Sequence, residues 1–232
     1  MELVVLGSSA AYPGAGAACS GYLVREGDTS ILLDIGTGVF ANLQRWMDPA
    51  SLSGLVMTHL HPDHFLDVYP LRQFVQINGH RRRRLPILAP SGASERLDSL
   101  VAGEGGPQFG ELFDFVDIGD GATETVGAID VEFSEVPHFE VTFGVVVGDG
   151  VLAYSSDCRD ESSVVDLAAG KKHLLCEAAA CDEHSLGHLT PGQAGRIAKA
   201  AGVSTLYLTH LWPFQDKDGA RREAETVFDG EV

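Results

Sequence analysis

Positive charge is scarce in this chain. Its 232 residues carry 16 Lys and Arg against 33 Asp and Glu, a formal net charge of −17 at pH 7. A nucleic-acid polymer is gripped largely through Lys and Arg on its phosphates. The balance here disfavours such a partner, while a small anion held through a metal stays open. Cysteine is sparse too: Cys19, Cys158, Cys176 and Cys181 are scattered, with no C-x-x-C pair. That argues against a disulfide framework and against a thiolate zinc site, and the expected setting is a cytoplasm that keeps thiols reduced. No apolar run reaches the roughly 18 residues of a membrane helix, so no membrane partner is expected. The opening "MELVVLGSSAAYPG" lacks a basic n-region and a long apolar stretch; it reads as a strand entering a Gly-Ser turn rather than a secretion signal. Repeats and low-complexity linkers are also missing. With 44% hydrophobic residues the chain can bury a core, and residues 1–232 are expected to form a single domain.

What is present alternates short apolar runs with helical patterns. "LVVLG", "GYLVRE", "SILLDIG" and "GLVMTH" read as strands bounded by Gly or Ser. A helix is expected over Gly38–Met47. Another should start near Asp63 and run through Asn78, with Pro70 as a candidate kink. "LPILAP" leads to a helix over Ser91–Val101 and a Gly-rich loop. Strands follow at "FDFVDI", "IDVEFSEV", "TFGVVVG" and "VLAYSSD". Then come "HLLCEAA", a helix through "GQAGRIAKAAG", the strand "TLYLTH" and a last helix in "DGARREAETVF". Strand-rich halves flanked by helices imply an α/β fold of two sheets face to face with helices outside. A closing strand is expected; Gly230–Val232 either begins it or the sequence stops short of it. The basic run Arg81–Arg84 reads as a solvated loop or helix end, with a phosphate-contacting patch as the functional alternative.

The densest chemistry is "THLHPDHFLD", Thr58–Asp67, which sets His59, His61, Asp63 and His64 within six residues. His59 and His61, at i and i+2 past a strand, point the same way and can face one ion. Asp63 and His64, turned by a helix entry, can face a second. Imidazole and carboxylate donors suit Zn²⁺, with Fe²⁺ or Mn²⁺ as alternatives. Two ions need further ligands, and three positions share one pattern, an apolar strand followed by a His or Asp. These are His138 after "FSEVP", Asp157 after "LAYSS" and His210 after "LYLT". His80, His173 and His184 fall outside any motif and read as ordinary surface or turn histidines.

"THLHPDH" resembles the H-x-H-x-D-H signature of the metallo-β-lactamase fold, and His138, Asp157 and His210 match its remaining ligands in order. The resemblance implies a four-layer αββα sandwich with the site at the sheet edges. It implies one ion on His59, His61 and His138, another on Asp63, His64 and His210, and Asp157 bridging them. "SGYLV", "LLDIGTG" around Asp34, "LLCEAAA" around Glu177 and "GHLTPGQAGRIAKAAGV" around His188 are similar to ribonuclease Z and its phosphodiesterase relatives. In that branch the positions of Glu177 and His188 support an acid–base relay with Asp63. Asp63 would accept from the nucleophilic water and a protonated His188 would donate to the leaving oxygen. Asp34 is expected to orient ligands rather than to be one.

One departure shapes the expected substrate. Ribonuclease Z carries its tRNA-gripping arm between the equivalents of His138 and Asp157. Here only "FEVTFGVVVGDGVLAYSS" lies between them, room for a hairpin. The length and the "GYLV", "LLDIGTG" and "NLQRW" stretches look more like small bacterial members of the branch that hydrolyse cyclic nucleotides or other small phosphodiesters. The resemblance thus implies a metal-bridging hydroxide attacking a small phosphodiester, in a protein whose relatives often form homodimers. A base would stack on Tyr12, Phe65, Phe139, Trp212 or Phe214, and Arg72 and Arg159 are weaker candidates for phosphate contact. The alternatives are a ribonuclease Z-like RNA endonuclease, a lactone or thioester hydrolase on the same site and, least favoured, a non-enzymatic metal-binding protein.

Overall fold

The computed structural model describes residues 1–78, 84–101, 103, 106–182 and 187–232. His80, His184 and Arg81–Arg83 lie outside the described residues. Arg84, the last of the basic run, is described. Its guanidinium pairs with Asp114 at 2.6 Å and donates to the Gly110 carbonyl at 2.7 Å.

In chain order the elements are β1 (Glu2–Gly7), β2 (Gly21–Glu26), β3 (Thr29–Leu33), α1 (Val39–Leu43), β4 (Gly54–Val56), α2 (Pro62–Phe65) and α3 (Val68–Asn78). Then follow β5 (Leu85–Pro90), α4 (Ala93–Leu100), α5 (Phe109–Leu112), β6 (Phe113–Ile118), β7 (Thr123–Val126), β8 (Ile129–Val136), β9 (Thr142–Val147) and β10 (Leu152–Tyr154). The last are α6 (Glu161–Ala168), β11 (His173–Glu177), α7 (Pro191–Ala201), β12 (Thr205–Thr209) and α8 (Lys217–Glu225). They build two six-stranded sheets, ordered β1-β2-β3-β4-β5-β6 and β12-β11-β10-β9-β8-β7.

Alternation along the strands makes the layers. In β2 and β3, Tyr22, Val24, Ile31 and Leu33 turn inward and meet Val131, Phe133, Val145 and Tyr154 of the other sheet. Leu23 and Leu32 turn outward onto Val39, Val68, Leu71 and Leu97 of the helices. In β11, Leu175 faces the inter-sheet core, while Leu174 and Cys176 face Val164, Ile197 and Ala224 of α6, α7 and α8. A period of two on each strand thus feeds two different cores. The result is the expected αββα sandwich.

Strand direction then fixes where chemistry can gather. β3, β4, β5 and β6 run parallel, as do β10, β11 and β12. β8 is antiparallel to β9, which is antiparallel to β10, so β8 shares their direction. Segments leaving β3, β4, β8, β10, β11 and β12 therefore emerge at the carboxyl ends of their sheets, where open α/β sheets place ligands.

Several sequence expectations shift. The Gly38–Met47 helix is only Val39–Leu43, with Gly38 left-handed at φ 92° just before it. The Asp63–Asn78 helix is two, α2 and α3. They break at Leu66–Asp67, where the Asp67 N–H goes to the Ile35 carbonyl at 3.0 Å instead of one turn back and the His64 carbonyl accepts from the Ile35 N–H at 2.7 Å. Pro70 sits in the first turn of α3, where its missing N–H is needed by no helical bond. The α6 helix was not foreseen; Asp160 starts it, accepting from the Ser163 N–H at 2.8 Å. Strand β7 carries no apolar alternation in the sequence, because its "TETV" is largely polar, as suits the edge of a sheet. Glu231 pairs with Thr205 of β12 as one isolated bridge. The four cysteines are free, Cys19, Cys158 and Cys176 being buried and Cys181 exposed. No helix among the described residues is long and apolar enough to cross a membrane.

Candidate metal centre

All seven expected ligands meet at the carboxyl edge of the sheets. His59 and His61 leave β4, Asp63 and His64 lie in α2, and His138, Asp157 and His210 follow β8, β10 and β12. All but His61 are buried. Their donor atoms form two sets. In the first, His61 Nδ1 is 3.1 Å from His59 Nε2 and 3.2 Å from His138 Nε2. Asp157 Oδ2 stands 3.7 Å from His59 Nε2 and 3.8 Å from His138 Nε2. In the second, His210 Nε2 is 3.0 Å from Asp63 Oδ2 and 3.4 Å from His64 Nε2. His64 Nε2 lies 3.9 Å from Asp63 Oδ2 and 3.3 Å from Asp157 Oδ1.

These donors fit a divalent ion. A tetrahedron with metal bonds of about 2.0–2.1 Å has edges of about 3.3–3.4 Å, the middle of both sets of distances. Asp157 Oδ1 is buried with only the ring nitrogens of His64 and His210 near it, each at 3.3 Å and without good hydrogen-bond geometry, an expensive state for a carboxylate oxygen unless a cation faces it. The single Asp157 carboxylate reaches both sets, one oxygen to each.

The outward-facing ring atoms are tied down, which fixes the inward ones. His138 Nδ1 lies 3.0 Å from the Gly187 carbonyl, and His64 Nδ1 is 2.8 Å from Asp34 Oδ2. Each Nδ1–H donates there, so Nε2 is the ring atom that faces the centre. His59 Nδ1 is 3.1 Å from Thr58 Oγ1. Asp34 is the hub of this scaffold, as its expected orienting role requires. It also accepts from the Thr58 N–H at 2.9 Å, the Thr58 hydroxyl at 3.1 Å and the Tyr154 hydroxyl at 2.9 Å. Asp34, Ser156 and His210 hold φ of 58°, 52° and 52°, a left-handed conformation costly for non-glycine residues and here concentrated at one site.

Electrostatics follow from this crowding. Burial, and then the nearby His64, hold His59 well below the ordinary imidazole range. Burial also lowers His138, to about 4. His64 moves the other way: burial opposes its charge, but the Asp157 and Asp34 carboxylates override it. For Asp157 burial favours the neutral acid, yet His210 and His64 hold it well below the usual carboxylate range. The same contest, won by the His210 hydrogen bond and the His64 charge, keeps Asp63 ionised.

Beside both sets sits His188, its ring centroid 5.3 Å from those of His138 and His210. Its Nδ1 is 3.0 Å from Oε1 of the fully buried Glu177. Glu177 is itself fixed by the N–H groups of Cys158 at 3.0 Å and Ala179 at 3.2 Å. Burial disfavours a charged His188, but the Glu177 hydrogen bond and charge outweigh it and raise the ring to about 9. The sequence explains the placement. "HLTPGQ" puts His188 just before α7, whose start is locked by a reciprocal cap: Gln193 N–H to Thr190 Oγ1 at 3.1 Å, and Thr190 N–H to Gln193 Oε1 at 2.8 Å. His188, Asp157 and His210 converge as well, but with Nδ1 turned to Glu177, His188 presents its other nitrogen to a cleft of about 280 Å³.

Two candidates for substrate contact are corrected. Phe65 is buried in the helix-side core and cannot stack on a ligand. Arg72 is buried, donating to the Pro107 carbonyl at 2.7 Å and lying over the Phe109 ring, so it is a structural cation rather than a phosphate contact. Trp212 lines the cleft, stacked on Phe214 at 5.7 Å with Tyr12 at 6.2 Å. Phe139 lies on the opposite side, against His138. Arg159 is exposed, and His173 opens β11, away from the site. Thr58, Ser156, Tyr154 and the Ala11 N–H, which donates to Asp63 Oδ2 at 2.7 Å, carry no signal in the sequence. Their roles exist only once distant segments meet.

The "Beta-lactamase superfamily domain" family matches residues 29–211. The probable metallo-hydrolase YhfI of Bacillus subtilis is 31% identical, over 100% of this chain and 96% of its own. The crystal structure of YhfI superposes with a TM-score of 0.88, covering 99% of this chain and 93% of the other. A ribonuclease Z of Nocardia farcinica is 30% identical over 304 aligned positions, covering 100% of this chain and 94% of its own. Those positions outnumber the 232 residues here, so that relative carries segments with no counterpart in this chain. A diphosphatase of the PhnP family shares the fold, with a TM-score of 0.79 at 17% identity, covering 99% of this chain and 93% of the other. The ligand pattern, the sandwich and these similarities agree, and the chain belongs to the beta-lactamase superfamily, with ribonuclease Z among its relatives.

Proposed function

We propose that this chain is a binuclear metal-dependent hydrolase of small phosphodiesters, with a cyclic nucleotide as its substrate. One observation carries the reading: a histidine paired at 3.0 Å with a buried carboxylate stands beside two converging ligand sets. Ions bound there, Zn²⁺ by the donor set, would supply an activated water and neutralise charge on the phosphoryl oxygens. The chain's own groups do the rest. Asp63, fixed by the Ala11 N–H, presents an ionised carboxylate at the cleft floor. His188 holds its proton at Nε2, facing the cleft, and delivers it to the departing ribose oxygen, while Glu177 keeps the ring charged and aimed.

Two features favour a small substrate. β9 and β10 join through the short turn Gly148–Val151, so no arm projects between His138 and Asp157. The cleft is small, and Trp212, Tyr12 and Phe214 flank it, where stacking would contribute about 1–3 kcal/mol per base. The names of two relatives, a ribonuclease and a diphosphatase, concern P–O bonds, which supports phosphoryl over carbonyl chemistry.

The test is turnover of metal-analysed protein on 3′,5′-cyclic AMP beside a precursor tRNA and a lactone. Release of AMP with intact tRNA is the expected result. Trimmed tRNA with untouched cyclic AMP would replace this reading with an RNA nuclease, and lactone opening alone would replace it with a carbonyl hydrolase.

A further inference from the structure

Arg96 lies on α4, outside every motif, yet it touches both loops that carry the first ligand set. Its Nη2 donates to the Leu60 carbonyl at 3.0 Å. Leu60 is the residue between His59 and His61, so this bond grips the backbone of the two ligands from β4. The same guanidinium pairs with Glu140: Nη1 to Oε1 at 3.1 Å and Oε2 at 3.2 Å, and Nη2 to Oε1 at 3.1 Å. Glu140 is two residues beyond His138, on the loop between β8 and β9. One planar cation thus joins α4, the His59–His61 loop of the first sheet and the His138 loop of the second.

The geometry matters because the first set is split between the sheets. The distance from His61 to His138, 3.2 Å between donor nitrogens, depends on how the two sheets sit at this edge. The second set has other ties across the same gap, Ala10 N–H to the Leu211 carbonyl and Leu211 N–H to the Ser8 carbonyl, each at 3.0 Å, while the first set has one backbone tie, Phe143 N–H to the Thr58 carbonyl at 3.1 Å. The Arg96 bonds reach only the first. We infer that Arg96, with Glu140, is a positioning residue that sets the spacing of His59, His61 and His138 and so tunes the first metal site without touching the second. A lysine could not do this, since a point charge cannot meet a carbonyl and both carboxylate oxygens in one plane.

The inference rests on the two-site reading, and its test separates the two. Ion-free protein is titrated with Co²⁺ against a competing chelator, following the visible ligand-field spectrum. His138→Ala identifies which of the two binding steps belongs to the first set. Arg96→Ala and Glu140→Gln are each expected to weaken that step about tenfold, in the range seen when outer partners of metal ligands are removed, and to leave the other step in place. Arg96→Lys is expected to recover less than half of the loss. Arg221→Ala serves as control. Arg221 pairs with Glu225 at 2.8 Å within α8, which carries no ligand, and its loss should move neither step. Equal weakening of both steps, or no change in either, would overturn the positioning role while leaving two sites. A single binding step in the wild type would instead overturn the two-site reading itself.

Discussion

At the scale of single residues, the site works by opposing burial with charge. His188 shows this most simply. Burial alone would lower its proton affinity, but Glu177, itself pinned by two backbone N–H groups, raises it from 6.5 to about 9. In ion-free protein the sign of the consequence is fixed. The folded value lies above the unfolded one, so the His188–Glu177 pairing stabilises the fold fully below about pH 6.5, and this contribution is lost as pH rises through about 9. Glu177→Gln is expected to bring the His188 midpoint, followed by NMR of the imidazole C–H, back towards 6.5; an unmoved midpoint would mean that Glu177 does not set it. In the loaded enzyme, His188→Ala should retain metal and slow turnover by roughly 10²–10⁴-fold.

At the scale of elements, backbone packing decides how α2 presents its ligands. Gly36, in the loop after β3, lies so close to α2 that a Cβ would clash with the Asp63 carbonyl. Gly36→Ala is therefore expected to destabilise the fold by about 1–3 kcal/mol in denaturant unfolding and to loosen the second ligand set. Wild-type stability with wild-type metal binding would contradict that packing argument. The same scale shows what the sequence could and could not convey. The candidate ligands were readable because four of them crowd into "HLHPDH" and the other three each follow an apolar strand, and strand ends share an edge. Asp34 was readable as an orienting residue from its place in "LLDIGTG". Phe65 and Arg72 misled because a side chain near a motif in sequence can face the core, and on α2 and α3 both do. Thr58, Tyr154 and Ser156 left no trace because hydrogen bonds such as Ser156 Oγ to Thr58 Oγ1, 98 residues apart, have no local pattern. Helix lengths failed where a distant segment captured backbone groups, as Ile35 does between α2 and α3.

At the scale of the molecule, two cores hold helices against the sheets and a third holds the sheets together, and the ligands ride on the shared edge. The net charge of −17 gives the molecule as a whole a field that repels anions. Added salt screens that field, so kcat/KM on a small phosphodiester should rise by a few-fold between about 10 and 200 mM salt, where the Debye length falls from about 30 to under 10 Å. A steep fall instead is the mark of counterion release from a polyanion and would point to nucleic acid. The central claim is that two ions share Asp157. It is tested most directly by elemental analysis and turnover, measured together on the wild type and on Asp157→Ala. The account predicts two ions per chain in the wild type and a joint loss of metal and activity in the variant. A fully active, metal-free Asp157→Ala protein would contradict it.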